Sequence, residues 1–321
     1  MMTPRENFIH FLRKEPYEYT PTSNDMLNFA PEEICDNVAR GLVWQQEPFT
    51  GKFGGKDLFG VEWFYDERCH GSMEVGHLFD VDDIEDWRDY VKFPDLDAID
   101  WEGAAKRNAE MLKTDKIIHT IVYTGFVERL YSFFGVADAA IALVDEEMQD
   151  YVKEIFDALS DFYIEFIRRL KKYFNVEWVE LHDDWGTQKS TFMSVETHAG
   201  LVVPYVRKVI EGIHEFGVYY EQHSCGKIET LVPNMIDAKI DTWMGQQCND
   251  KPMLVDKYGD EFRFCICMWP GDELSSDEKV EFCRNYINRY HGKDVWVHLG
   301  FVMTEEEKEK VYQYVKSVGK L

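Results

Sequence analysis

From about residue 103 onward, short β-branched and aromatic runs alternate with amphipathic stretches of ten or more residues. The strand-like runs are "KIIHTIVYT" (116–124), "VEWVELHDD" (176–184), "VYYEQHSC" (218–225), "DTWMGQQC" (241–248), "FRFCICMW" (262–269) and "DVWVHLGF" (294–301). Helical patterns fill the gaps: "WEGAAKRNAEMLKT", segments from Val127 to Lys172, a run from Ser194 to Gly217, "KIETLVPNMIDA", "KPMLVDKYG", "SSDEKVEFCRNYINRYHG" and "TEEEKEKVYQYVKSVG". Antiparallel neighbours join through short hairpins, whereas strands separated by whole helices pair in parallel. With "YTPTSN" (19–24) read as a short strand, seven parallel strands are visible and an eighth is easily hidden. The expected fold is therefore α/β, a (β/α)8 TIM barrel, and not an open doubly wound sheet. No glycine-rich dinucleotide loop or phosphate-cradling G-x-x-x-x-G-K-[ST] follows any of these runs, which weakens the open-sheet cofactor alternatives.

Ahead of the regular part, "TPRENFIHFLRK" opens a helix with Thr3 as N-cap, Pro4 in the first position and Glu6 completing a capping box. The Gly-punctuated region 51–81 reads as hairpins inserted at the N-terminal side of the barrel, and residues 1–321 read as one domain. With 45% hydrophobic residues the chain can bury a large core, yet no apolar run approaches the ~18 residues of a membrane span. The N-terminus shows no export signal and seven cysteines form no regular framework, so a reducing cytoplasm is expected. A net charge of -25 works against nucleic acid and anionic membranes as partners, and a homodimer is the oligomeric expectation.

Barrels of this type place their active site at the C-terminal ends of the strands. Those ends carry Asn24, Tyr123, His182, Asp183, Asp184, His223, Cys225, Gln247, Cys248, Cys265, Cys267 and His298. In "YYEQHSCGKIET" (219–230), Glu221, His223 and Cys225 alternate and so share one face, and the run stops at Gly226. Imidazole nitrogen and thiolate sulfur are zinc ligands, and Cys248 and Cys267 lie at corresponding heights on the next two strands. The expected metal ligands are His223, Cys225, Cys248 and Cys267, with Cys265, about two residues deeper on the same face as Cys267, as a substitute. Glu221 lies one step lower and reads as polar support beneath the metal. Cys35, Cys69 and Cys283 are not expected to bind metal. In "LHDDWGTQKS" the adjacent carboxylates cannot both face the cavity, so one of Asp183 and Asp184 acts there and the other caps a loop or helix. Trp185 offers either a flat wall for an aromatic ligand or core packing, and His298 either a general acid or an interior histidine. Asn24, Tyr123, Trp185 and Gln247 are the candidate substrate contacts.

"DDWGTQ" followed by "FMS", "VPYVRKVIEGIHEFG" and "HSCGKIETLVPNMIDAKID" resembles the uroporphyrinogen decarboxylase superfamily, most closely its corrinoid-dependent methyltransferase branch. The resemblance extends to "TPRENFIHFLRK", "LFGVEWFYDE", "VKFPDLDAIDW" and "NDKPMLVDKYGDEF", and it implies the same barrel. The decarboxylases grip an octa-acid through an arginine-rich segment near the N-terminus, whereas "YTPTSNDMLNFAPEE" contains no arginine. The methyltransferases hold zinc through an H-x-C pair and a later cysteine near the last strand. His223 and Cys225 match the pair, but "VHLGFVM" lacks the late cysteine. The resemblance thus implies zinc and the cobalamin of a partner corrinoid protein as cofactors. Abundant aromatics and no visible basic pocket favour a small aromatic methyl ether as methyl donor. The competing readings are a zinc-free decarboxylase or lyase using Asp183 or Asp184, and a non-catalytic barrel with structural zinc.

Overall fold

A computed structural model describes residues 1–68, 70–300 and 302–319. After the first strand, β1 (Met26–Asn28), the chain makes an excursion through β2 (Gly55–Lys56), β3 (Glu62–Asp66) and β4 (Gly71–Glu74). It then lays down β5 (Ile117–Val122), β6 (Trp178–His182), β7 (Tyr219–Ser224), β8 (Thr242–Gly245), β9 (Arg263–Cys267) and β10 (Val295–His298). These form a seven-stranded sheet in the order β1-β5-β6-β7-β8-β9-β10, parallel at every ladder. Thr22 makes a parallel bridge to Val297, and the Val297 N–H donates to Pro21 O at 2.9 Å, so the sheet curls until its last strand meets its first segment. The architecture is that of a TIM barrel with a hairpin insertion.

Two local expectations are corrected. "YTPTSN" is strand-like only as far as Thr22, which bridges Val297: the buried Asp25 carboxylate accepts from Thr22 N at 2.7 Å, and this capping box winds Ser23–Asp25 into a single 3-10 turn. The run from Ser194 to Gly217 is two helices, Val195–Leu201 and Val203–His214, interrupted at Val202 where Pro204 enters the first turn of the second. Several strands also stop sooner than their hydrophobic runs. β8 ends at Gly245 and β6 at His182, so Cys248, Asp183 and Asp184 all stand in loops above the sheet. Among the described residues no helix is long and apolar enough to cross a membrane.

The helix Pro4–Leu12 carries the expected Thr3–Glu6 capping box and plugs the lower end of the barrel. Its Phe8 is fully buried, with its ring 4.7 Å from that of Trp178 and 6.0 Å from that of Trp296. Aromatic side chains thus fill the base, and the polar side chains of the same strands gather above them. The insertion is a three-stranded antiparallel sheet, β2-β3-β4, linked to the helix Phe126–Phe134 through Asp57, the residue after β2. Arg129 of that helix donates to Asp57 at 2.6 Å and to Asp36 at 3.4 Å. Asp57 in turn accepts from the backbone of Phe59 and Val61 and from the Trp63 indole.

Candidate metal centre

Parallel pairing sets Glu180 opposite Glu221 and His182 opposite His223, so four polar side chains from β6 and β7 point to one face in two tiers. In the lower tier Glu221 accepts from Thr242 Oγ1 and Trp296 Nε1, each at 3.0 Å, which agrees with a supporting role. In the upper tier the rings of His182 and His223 stack, with centroids 4.4 Å apart and planes 12° apart. His182 lies between two carboxylates: Nδ1 is 3.3 Å from Glu180 and Nε2 is 3.8 Å from Glu128. Burial works against its charge, but Glu128 and Glu180 prevail and raise its pKa. Burial and neighbouring His182 push His223 the other way, down to about 4, so His223 is a neutral imidazole near pH 7.

Above them, Cys225 Sγ lies 3.8 Å from His223 Nε2, and the Cys225 N–H donates to Asp184 Oδ1 at 2.5 Å. One ligand atom each from Asp184, His223 and Cys225 falls within 4.8 Å of the others, as it does for Glu180, His182 and His223 and for Glu128, His182 and Asp184. His223 Nδ1 is buried without a hydrogen-bond partner among the described residues. Burial and the Asp184 carboxylate push the Cys225 thiol up to about 12, so it stays protonated unless a cation draws the proton off. Neutral imidazole, thiol and carboxylate in one cluster are a donor set that could hold a metal ion.

The turn that ends this strand requires its glycine. Gly226 has φ 89°, and a Cβ there would stand 2.4 Å from Gly186 O. The Gly226 N–H donates to Gln246 Oε1 and the Lys227 N–H to Thr187 O, which ties the H-x-C turn to the neighbouring loops.

The two adjacent aspartates divide as their spacing requires. Asp183 is buried and accepts from the N–H groups of Val127 and Glu128, both at 2.9 Å, and from Trp185 Nε1 at 2.7 Å. It caps the helix Phe126–Phe134, and Asp184 is the carboxylate beside Cys225. Trp185 is 1% exposed and edge-on to His198, so it packs into the core and offers no wall to a ligand. Tyr123 lies at the mouth, 5.1 Å from His182 between ring centroids, under the guanidinium of Arg40. Asn24 sits in the turn Ser23–Asp25, its N–H donating to Thr22 Oγ1.

Beside the cluster opens a cavity of about 340 Å³ lined by His223, Gln247, Cys248, Cys267, Trp269 and His298, among others. Cys248 and Cys267 therefore share a chamber with His223, but neither belongs to the 4.8 Å clusters. Cys267 Sγ instead lies 3.6 Å from Cys265 Sγ, on the face the alternation predicts. His298 is held near pKa 4 by burial. Cys35 and Cys283 stand outside the clusters, and Cys69 lies outside the described residues.

Four participants were not identified from sequence. Glu180 had a readable signal, since it lies two positions before His182 on the same strand face. Glu128 and Arg40 had none, because only tertiary packing brings them in. Arg40 spans insertion and barrel, donating to Ser72 Oγ at 2.9 Å and to Thr124 Oγ1 at 2.5 Å. Lys251 also had none; it opens a short helix in sequence, yet its side chain is buried against Trp243.

No family model and no curated protein matches the sequence. Among solved structures, a methyltransferase from Methanosarcina mazei superposes with a TM-score of 0.71 over 99% of both chains, at 13% identity. A Xanthomonas albilineans dihydropteroate synthase with 4-aminobenzoic acid aligns over 48% of this chain and 59% of its own, at 12% identity and a TM-score of 0.33. The first likeness shows a common fold; the second is too partial to carry an argument.

Proposed function

We propose that the protein is a zinc-dependent methyltransferase of the corrinoid-dependent branch of the uroporphyrinogen decarboxylase superfamily. In this reading it moves a methyl group from a small methylated substrate, an aromatic methyl ether, to the cobalamin of a partner corrinoid protein. The observation that carries it is the Asp184, His223 and Cys225 cluster at the mouth of the barrel, opening on a chamber of about 340 Å³. The likeness in fold to the Methanosarcina mazei methyltransferase is consistent with it.

His223, Cys225 and Asp184 would hold the zinc, which when bound supplies Lewis-acid activation of the ether oxygen. The chain's own groups do the rest. Asp184 fixes the Cys225 backbone, and the neutral His223 turns Nε2 toward the Cys225 sulfur, 3.8 Å away. His182, whose protonated form Glu128 and Glu180 favour against burial, would give a proton to the departing oxygen. Glu221, anchored by Trp296 and Thr242, holds the floor of the site. Trp269 and Met244 give the chamber an apolar side suited to an aromatic ring.

The test is a screen in which wild-type protein and Cys225→Ala are mixed with cob(I)alamin and methoxylated aromatics, methylamines or methyl thioethers. Methylation of cobalamin by a methoxyarene with wild type, and its loss in Cys225→Ala, is the expected outcome. Equal rates in the two proteins, or no transfer from any donor, would contradict the proposal.

A further inference from the structure

A second cavity of about 270 Å³ adjoins the first, and Gly245, Gln247, Cys267 and Trp269 line both. Its distinctive member is Lys251, which is 5% exposed. The Lys251 ammonium lies 3.7 Å from the centre of the Trp243 ring and has no hydrogen-bond partner among the described residues. An ammonium taken out of water without an accepting oxygen is costly, and a cation–π contact offsets only part of that cost. Burial accordingly pushes its pKa down to about 8. Arg289 stands on the rim of the same cavity, so two cations converge there in a chain whose net charge is -25.

We infer that this cavity is a carboxylate subsite, with Lys251 as its buried counter-charge, and that the substrate of the adjoining chamber is an anionic methoxyarene. The inference rests on the proposed function for the identity of the reacting group, but not for the existence of the subsite. A carboxylate here would supply the acceptor that Lys251 lacks, while the shared wall of Gln247 and Trp269 leaves the methoxy end of the ring toward His223. This revises the sequence reading that saw no basic pocket, because a single lysine at the head of a helix leaves no mark in composition.

The experiment is direct binding, followed by tryptophan fluorescence or calorimetry without any corrinoid protein. The probes are 4-methoxybenzoate and the uncharged 4-methoxybenzamide. Wild type is expected to prefer the carboxylate by about tenfold or more, Lys251→Arg to keep much of that preference, and Lys251→Met to lose it. Equal binding of the two probes by wild type would overturn the inference, as would no binding of the benzoate at roughly 5 mM or an undiminished preference in Lys251→Met. The wild-type comparison stands even if the Met variant folds poorly. If methyl transfer fails while the carboxylate preference holds, the proposed reaction falls and the subsite survives; the reverse result separates them in the other direction.

Discussion

Arg129 fastens the insertion to the barrel, and replacing it with leucine makes a quantitative demand. Its guanidinium is 1% exposed, as is the Asp57 side chain it meets at 2.6 Å, and the Asp36 side chain is 12% exposed. Removing one partner of a buried ion pair costs about 3–5 kcal/mol, because the remaining charge is left uncompensated. The Asp57 bonds to Phe59, Val61 and Trp63 survive the change, so the lower part of that range applies if they share the charge. The pH dependence gives a second handle. Burial, with Asp57 beside it, pushes Asp36 up to about 6, against the pull of Arg129. A carboxyl raised above its unfolded value contributes stability while protonated and loses it as pH rises through the folded value. Without Arg129 that loss deepens and extends to higher pH. The deficit of Arg129→Leu, measured by urea denaturation, should therefore be about 3–5 kcal/mol at pH 7.5 and clearly smaller at pH 5. A deficit below about 1 kcal/mol, or one of the same size at both pH values, would refute the assignment of Arg129 as the buried counter-charge.

Three further outcomes are expected. Phe8→Ala should cost about 3–5 kcal/mol in chemical denaturation, because the ring fills the base of the barrel between Trp178 and Trp296. His198, held down to about 3 by burial and accepting from Asn234 at 3.1 Å, lies below its unfolded pKa. Its contribution is complete above about pH 6.5 and falls by up to roughly 1.4 kcal/mol per pH unit below that, so His198→Gln should flatten the acid limb of the stability profile. Gly226→Ala should lower metal content and stability together, since its backbone is left-handed and the added methyl meets Gly186 O; unchanged zinc in a stable variant would count against the tight turn.

The barrel was legible because strand and helix periods differ and capping residues mark starts: the box read at Thr3 forms in the structure. The same local logic failed at the end of "YTPTSN", where a buried aspartate winds the residues after Thr22 into a turn. At the site, the alternation of Glu221, His223 and Cys225 predicted which side chains share a face. It could not extend to Cys248, because β8 ends three residues before it and a loop does not keep strand periodicity. Spacing also required Asp183 and Asp184 to differ in role, but the choice between them depends on the helix that presents its N–H groups to Asp183. Glu128, Arg40 and Lys251 arrive from elements whose local patterns are ordinary, so only packing reveals them.

The central claim is that Asp184, His223 and Cys225 form a metal centre. It is tested most directly by the zinc content of wild type, Cys225→Ala, Asp184→Ala and Asp183→Asn, purified without chelator and measured by atomic emission. About one zinc per chain is expected in wild type and in folded Asp183→Asn, and marked loss in the other two. Wild type without zinc, or Cys225→Ala and Asp184→Ala retaining it in full, would contradict the claim.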